Sequence, residues 1–317
     1  MRRKTPHLDP MRIKTVPLQK RRSRFSVRDC STPYRRGSTL KAFLDTLPNT
    51  LAARDLKTIA GIIAGTHRAK RQIIFGMGAH VIKVGLSPLI IDLMQRGLLS
   101  CVALNGAGAI HDVEIALAGK TSEDVAAGLA SGKFGMTAEA AEFINRAVAE
   151  GQQGNKGMGR AVGEALLKRR TPHTQMSILA AAARLGIPCT VHVSIGSDTI
   201  HMHPTFDGAA TGRASHNDFL TFADRVSRLS GGVFVNIGSA VVLPEVFLKA
   251  FSLAANLGKA PRKLTTVNMD FIRHYRPSLN VVERPTLHEG KGFNLIGHHE
   301  IMLPLLAAAI LEELYSK

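Results

Sequence analysis

The stretch from Ile187 to Gly208, IPCTVHVSIGSDTIHMHPTFDG, joins an apolar run to polar groups that are suited to chemistry. The apolar part follows a Gly-Ile-Pro turn, which predicts a buried strand over 188–195. The carboxylate of Asp198 and the imidazoles of His201 and His203 come after that strand. Because ligands bind beyond the carboxyl ends of strands in a parallel sheet, this stretch predicts a functional site.

His201 and His203 are candidates for two kinds of chemistry. Alternate residues on a strand point the same way, so both rings could bind zinc, as in a metal-dependent hydrolase. Asp198, His111 or the His-His-Glu cluster at 298–300 could complete that set of ligands. The spacing matches no zinc signature, however. We therefore predict no metal and assign the two histidines to proton transfer or substrate binding.

Three further apolar strands end in turns that are rich in glycine. These turns are GMGAHVIKVG at 76–85, LNGAGAIHD at 104–112 and VNIGSAV at 235–241. Small residues let a ligand approach the backbone, and a following helix offers its N–H groups to a phosphate. The first turn lacks the full G-x-G-x-x-G pattern of dinucleotide-binding proteins and is weak support alone. Four such strand ends in one sheet favour a nucleotide-type ligand.

A long segment near the last strands, RHYRPSLNVVERPTLHEGKG at 273–292, is rich in cations. A solvated loop is one interpretation. Loops of this length inside α/β domains are often functional, however, and its cations could hold an anionic group. We therefore predict Arg273, Arg276 and Arg284 as substrate-binding residues.

The elements that would position these turns alternate along the chain. Apolar strands are predicted at 71–77, 98–104, 188–195, 232–237, 264–268 and 293–296, with helical segments between them. This alternation predicts an α/β fold: a Rossmann-like, doubly wound, mainly parallel sheet with helices on both faces. We expect residues 38–317 to form a single domain.

The positive charge is concentrated before that domain. Of the net charge of +17, about +10 lies in the first 36 residues, where only Asp9 and Asp29 are acidic. The segment 1–37 is rich in Pro, Ser and Arg and lacks periodicity, which predicts a flexible, disordered basic arm. The arm could anchor the chain to RNA, to anionic lipid or to an acidic subunit. Alternatively, it is a solvated tail, or the true start of the protein is Met11. We expect contact with nucleic acid only through this arm.

Cysteine usage and hydropathy limit the class of protein. The cysteines are Cys30, Cys101 and Cys189, an odd number without C-x-x-C spacing. They predict a reduced protein without a disulfide framework. No apolar run is long enough to cross a membrane, and the N-terminal residues are too charged for a signal peptide. We therefore expect a cytoplasmic protein with no membrane partner.

Taken in order, the strand ends resemble those of the deoxyhypusine synthase family over most of residues 70–315. The matching segments are GAHVIKVGLSPLIIDLM, LNGAGAIHDVEIAL, IPCTVHVSIGSDTIHM, NIGSAVVLPEVF and HHEIMLPLL, in which Pro304 also matches. The resemblance implies a Rossmann-like fold in a homotetramer with NAD at its subunit interfaces. It also implies NAD-dependent transfer of the aminobutyl group of spermidine through an imine on a lysine, since only an amine forms the imine.

The strand ends and the resemblance together predict which residues contact NAD. They are Gly78, His80, Asn105, Gly106, Asp198, Gly238, Ser239, Asn268 and His298.

The chain departs from the family at the catalytic elements. The family's Trp-Gly-Lys element has no true match, because Lys291 in EGKGF lies too close to the final strand. Glu-Val-Phe at 245–247 replaces a Lys-His-His sequence, and the loop that should hold a polycation is basic. A basic loop repels spermidine and favours an acid or a phosphate.

We therefore expect an oligomeric, NAD-dependent transferase or oxidoreductase that acts on a small, anionic molecule other than spermidine. Its catalytic candidates are His201, His203 and Lys291. A non-enzymatic NAD-binding or RNA-associated protein is the alternative from another class.

Overall fold

Six strands form one sheet in the computed structural model, which describes residues 8–315. The strands are β1 (Ile73–Met77), β2 (Cys101–Asn105), β3 (Cys189–His192), β4 (Val233–Ile237), β5 (Thr265–Asp270) and β6 (Lys291–Ile296). Their order is β3-β2-β1-β4-β5-β6, and every neighbouring pair is parallel. The predicted doubly wound α/β fold is confirmed.

Helices connect successive strands. They are α1 (Leu40–Thr46), α2 (Leu51–Arg68), α3 (His80–Lys83), α4 (Ser87–Gln95), α5 (Gly106–Ala118), α6 (Val125–Ala130), α7 (Ala138–Gly151), α8 (Met158–Arg169), α9 (Ile178–Leu185), α10 (Gly208–Ser227), α11 (Val242–Asn256), α12 (Tyr275–Pro277) and α13 (His299–Tyr315). Within residues 8–315, none of them is both long and apolar enough to cross a membrane.

Both faces of the sheet are covered along its central strands, and β1 and β4 are buried throughout. On one face, Phe75 of β1 belongs to the same buried cluster as Ile59 of α2. On the other face, Phe234 of β4 packs with Phe222 of α10 and Phe247 of α11. The rings of Phe234 and Phe247 are stacked with their centroids 3.9 Å apart. Burial on both faces explains why the strands could be predicted from short apolar runs.

The connections change direction between β1 and β4. From β1 the chain proceeds outward through β2 to β3, and it then crosses back to β4 on the other side of β1. The last residues of the two central strands, Met77 and Ile237, are register partners. A crevice between diverging connections at such a switch point is where open α/β sheets bind ligands.

The cationic segment 273–292 is not an irregular loop, so this prediction was wrong. It contains α12, a π-helical turn at Ser278–Glu283 and a 3-10 turn at Arg284–Thr286. Val281 within it is fully buried against the face covered by α10 and α11. The segment therefore serves as the helical connection between β5 and β6.

The described part of the predicted arm is mainly exposed. Residues 8–28 lie on the surface and contain only short 3-10 turns. Beyond them, the Thr32 N–H donates to the Thr46 carbonyl at 3.0 Å, and the ring of Tyr34 lies 6.1 Å from that of Phe43. The end of the arm is thus attached to α1. Residues 1–7 of the arm lie outside the described residues.

Candidate active site

Two glycine turns meet at the switch point. The Gly78 N–H donates to the Ile237 carbonyl at 2.9 Å, and a Cβ atom at position 78 would overlap the carbonyl oxygen of Gly238. Gly238 itself has a φ of +63°, in the left-handed region that favours glycine. The close approach of these two turns therefore requires glycine at both positions, independently of any ligand.

A buried histidine lies against the Gly238 turn. His299, at the start of α13, is 1% exposed, and a Cβ atom at position 238 would lie 3.0 Å from its Nε2. Among residues 8–315, neither ring nitrogen of His299 makes a hydrogen bond of good geometry, although the Met269 backbone lies close enough to raise the pKa of the ring. Burial lowers the pKa of His299, and the carboxylate of Asp270 opposes that shift. The ring is therefore neutral at pH 7 and has a nitrogen available to accept a proton.

Asp270 connects this histidine to two others. Its Oδ1 lies 3.9 Å from Nε2 of His299, and its Oδ2 lies 3.9 Å from Nε2 of His274. The exposed ring of His80 lies 5.4 Å from that of His299, and the ring of Phe271 lies 6.4 Å from both. A buried carboxylate between two imidazoles can stabilise a positive charge on either ring. The arrangement suits proton transfer between the buried site and solvent.

A second polar group lies at the end of β2, next to β1. The side-chain oxygen of Asn105 accepts from the Gly108 N–H at 2.9 Å and so caps α5. Asp198 packs so closely on Gly106 that a Cβ atom there would overlap its Oδ2. Burial raises the pKa of Asp198 to about 6, although hydrogen bonds from the Ser194 and Ala107 N–H groups lower it in part. The carboxylate is therefore charged at pH 7. Within the described residues, its buried Oδ2 has no partner.

An apolar cavity opens beside this carboxylate. Its volume is about 380 Å³, and its walls include Leu129, Phe134, Met136 and Met202, with Asp198 on one side. Ser197 and Thr199 also line it, and apolar walls with a few polar groups are typical of small-molecule sites. The cavity can hold a flat apolar group while the carboxylate accepts hydrogen bonds from the rest of the ligand.

The structure places six of the nine residues predicted to contact the cofactor in two groups. Gly78, Gly238 and His80 lie at the switch point, and Asn105, Gly106 and Asp198 lie at the end of β2. Asp270 was missed, and His299 was considered only as part of the His-His-Glu cluster that could bind a metal. The position of Asp270 at the end of an apolar run could have indicated it, whereas sequence offers no basis for choosing His299 over its neighbour.

The other three predicted cofactor residues have different surroundings. Asn268 accepts from Asn236 Nδ2 at 2.8 Å and donates to Asn294 at 3.2 Å, which links β4, β5 and β6. Ser239 Oγ accepts from a backbone N–H of α11 at 3.2 Å. The side chain of His298 is 71% exposed and points toward Glu300 rather than into the site.

His201 and His203 do not lie on a strand, so that expectation was wrong. Because β3 ends at His192, His201 falls in a 3-10 turn at Thr199–Met202, and His203 follows the turn. His203 Nδ1 contacts a threonine hydroxyl at 2.8 Å. Within residues 8–315, no group of three or more His, Cys, Asp or Glu residues is placed to hold a metal ion. The hydrolase alternative gains no support from this pair.

Lys291 lies at the amino-terminal ends of the strands, whereas the switch point lies at their carboxyl ends. It begins β6 and pairs with Thr265, the first residue of β5. At about 3.3 Å per residue, the length of β6 separates its backbone from the carboxyl edge by roughly 16 Å. Within one chain, Lys291 is not brought to the switch point.

All three predicted substrate-binding arginines make contacts within the protein. Arg276 Nε lies 3.6 Å from Glu245 Oε1, and Arg284 Nη1 donates to Asn280 Oδ1 at 2.6 Å. The exposed Arg273 donates to a serine hydroxyl at 3.3 Å. Arg276 and Arg284 are therefore not free to form a cationic site for an anionic ligand.

No protein-family model and no curated protein matches the chain. Solved structures do match its fold. AgrE in complex with ornithine and NAD+ superposes with a TM-score of 0.54 at 14% identity, over 84% of this chain and 34% of AgrE. A proposed LOR/SDH protein from Methanococcus maripaludis S2 gives 0.51 at 16% identity, over 83% of this chain and 70% of that one.

A proposed deoxyhypusine synthase from Entamoeba histolytica gives a TM-score of 0.51 at 10% identity, over 88% of this chain and 95% of that one. The cyanobacterial arginine dihydrolase ArgZ is another match, and this chain spans about a third of the length of ArgZ and AgrE. At these identities the matches show a shared Rossmann-like fold.

Proposed function

We propose that the protein binds NAD across the carboxyl edge of its sheet and catalyses hydride transfer with a small molecule. One observation carries this proposal: Asp198 Oδ2 and the ring of His299 are buried without partners on either side of the β1/β4 switch point. An unpaired buried polar group costs about 1–3 kcal/mol. A ligand that spans the switch point would supply both missing partners.

Asp198 is suited to the ribose next to the adenine. In Rossmann folds a carboxylate near the end of the second strand accepts hydrogen bonds from the ribose hydroxyls. Asn105 ends β2 here, and Asp198 supplies the carboxylate from the loop after β3. Its negative charge would repel a 2′-phosphate, so we expect NAD rather than NADP. The apolar cavity beside Asp198 would take the adenine. The structurally similar AgrE was solved with NAD+ bound.

His299 and Asp270 are suited to the chemical step. When bound, NAD+ supplies the hydride acceptor. As a C–H bond of the substrate gives up its hydride, the proton of the adjacent O–H or N–H group passes to the neutral ring of His299. The Asp270 carboxylate, 3.9 Å away, stabilises the imidazolium that results. His80, exposed beside that ring, offers a route for the proton to solvent.

The position of Lys291 favours an oxidoreductase over a transferase that works through an imine. An imine requires a primary amine at the reacting carbon, and within its own chain Lys291 lies at the other edge of the sheet. Arg273, exposed near the end of β5, remains the candidate for an anionic group on the substrate.

Calorimetry and thermal melting with NAD+, NADH and NADP+ test the proposal. Ligand at a hundred times its dissociation constant should add about 2.7 kcal/mol of stability. Asp198→Asn should weaken NAD+ binding at least roughly tenfold, because a hydrogen bond to a charged group contributes about 1.5–3 kcal/mol. The matched control is Asp224→Asn, on the exposed end of α10. An unchanged melting temperature in millimolar NAD+ and NADH would refute the proposal.

A further inference from the structure

β6 is an edge strand whose outer side is unpaired. The Lys291 N–H donates to the carbonyl of Leu264, just before β5, at 3.0 Å, and the Gly297 N–H donates to the carbonyl of Asp270 in β5 at 2.9 Å. Because successive N–H groups along a strand point in opposite directions, those of Gly292, Asn294 and Ile296 point away from β5. In the chain from residue 8 to 315, none of these three N–H groups makes a hydrogen bond. Such an edge is a template for another strand.

The side chains along this edge vary in size and are almost uncharged. Ile296 is 43% exposed at its carboxyl end, and Ile301 in the first turns of α13 is 63% exposed. At the other end, Gly292 has no side chain because a Cβ atom there would overlap the carbonyl oxygen of Val282. Lys291 is the one charged residue of the strand. The edge therefore offers exposed apolar surface at its carboxyl end and no side chain at position 292, where Val282 of the same chain fills the Cβ position.

We propose that β6 pairs with β6 of a second copy of this chain, antiparallel about a two-fold axis at Asn294. Gly292 of each copy then lies opposite Ile296 of the other, and the two Asn294 residues face each other. All three outward residues present both N–H and C=O groups to the other copy, as hydrogen-bonded pairs of an antiparallel ladder require. The two sheets become one continuous sheet.

This register keeps like charges apart and places Ile296 of each copy opposite a residue that has no side chain, Gly292. Lys291 of each copy lies opposite Gly297 of the other, so the two lysines are at opposite ends of the paired strands and do not repel at close range. The exposed apolar surface of Ile296 is covered.

A second copy fits this edge better than the basic arm does. Residues 8–28 of the arm are also exposed, and the arm carries twelve Lys and Arg residues before Gly37. Docking the arm on β6 would place several of these cations beside Lys291. The second β6 strand brings one lysine, at the far end.

The mass of the full chain in solution, measured by light scattering and sedimentation from micromolar to tens of micromolar, tests the pairing. We expect an assembly with an even number of chains. Ile296→Pro removes the outward N–H of residue 296 and leaves the hydrogen bonds between β6 and β5 in place. It should halve the mass of the assembly. Ile301→Lys, at the end of the same edge, should weaken the assembly at least tenfold. The matched control Leu257→Lys, 65% exposed at the end of α11, should not change it.

Hydrogen exchange gives a second readout that does not depend on the proline variant folding. The amides of Gly292, Asn294 and Ile296 should be protected in the wild type and exchange rapidly in Ile301→Lys at dilute concentration. A monomeric wild type, an unchanged mass in both edge variants, or unprotected outward amides would each overturn the pairing. Loss of the assembly on deletion of residues 1–37, with the edge variants intact, would assign it to the arm instead.

Discussion

Asp270 Oδ1 lies 3.9 Å from His299 Nε2, although one residue ends β5 and the other begins α13. The pair forms because β6 lies beside β5 and its exit turn stays close: the Gly297 N–H donates to the Asp270 carbonyl at 2.9 Å. Two adjacent strands therefore hold the carboxylate and the imidazole together. A site built on strand ends in this way is more rigid than one built on loops.

Replacement of Asp270 by Asn should lower the pKa of His299. The carboxylate opposes the effect of burial on that ring, and the amide removes its charge while keeping its shape. Titration of the histidine ring by NMR measures the shift directly. Asp92→Asn, on the exposed face of α4, is the matched control and should leave His299 unchanged. A rise in the pKa of His299 in Asp270→Asn would show that the two side chains are not coupled as described.

Gly78→Ala should destabilise the fold, with or without NAD. The added methyl group would overlap the carbonyl oxygen of Gly238, and overpacking of this kind typically costs about 1–3 kcal/mol. Gly61→Ala in α2 is the control, because a Cβ atom there meets nothing within 4 Å. The Gly61→Ala substitution should stabilise the fold by about 0.5–1 kcal/mol, because alanine favours the helix more than glycine does. Urea unfolding measures both, and equal effects of the two substitutions would contradict the contact between the turns.

Local patterns predicted the strands, but not which side chains meet. The central strands are short apolar runs, whereas the positions of Asp218 and Asp112 depend on distant elements. Asp218 accepts from the Gly159 N–H of α8 at 2.9 Å, and Asp112 accepts from the Ile178 N–H of α9 at 2.7 Å. These aspartates serve as remote caps of helices, although Asp112 follows a glycine turn that resembles a ligand site. Spacing in sequence cannot separate the two roles, because the partners are far apart in the chain.

Acid should destabilise the protein partly through His192. Burial lowers the pKa of this ring to about 3, compared with roughly 6.5 when unfolded. Between these two pKa values, His192 is therefore protonated in the unfolded chain and neutral in the native protein. The contribution of the neutral ring to the free energy of unfolding is complete above about pH 6.5. It falls by up to about 1.4 kcal/mol per pH unit as the pH is lowered toward 3.

His192→Gln removes this titration while leaving a polar partner for Thr190, whose hydroxyl contacts the ring at 2.9 Å. Urea unfolding between pH 4 and 7 should give a smaller loss of stability per pH unit in the variant than in the wild type. His288→Gln, on the surface, is the matched control. Identical pH slopes for the wild type and His192→Gln would mean that the buried ring is already charged in the native state.

Spermidine should be a poor substrate. A polyamine needs carboxylates to replace its lost hydration, and Asp270, one of the two buried carboxylates beside the switch point, is already flanked by His274 and His299. At an effective dielectric of about 20, one like-charge contact at 4 Å with Arg273 would oppose binding by roughly 4 kcal/mol. Incubation with spermidine and NAD+ should therefore release no 1,3-diaminopropane.

Lys291→Ala makes this test decisive, because the lysine has two possible environments. Within its own chain it lies at the amino edge of the sheet, so the substitution should leave the thermal shift by NAD+ unchanged. If two β6 strands pair as proposed, Lys291 lies opposite Gly297 of the other copy, close to the turn that leads to His299. NAD-dependent release of 1,3-diaminopropane that disappears in both Lys291→Ala and Ile296→Pro would contradict our prediction. It would show that the amine of one copy acts at the switch point of the other.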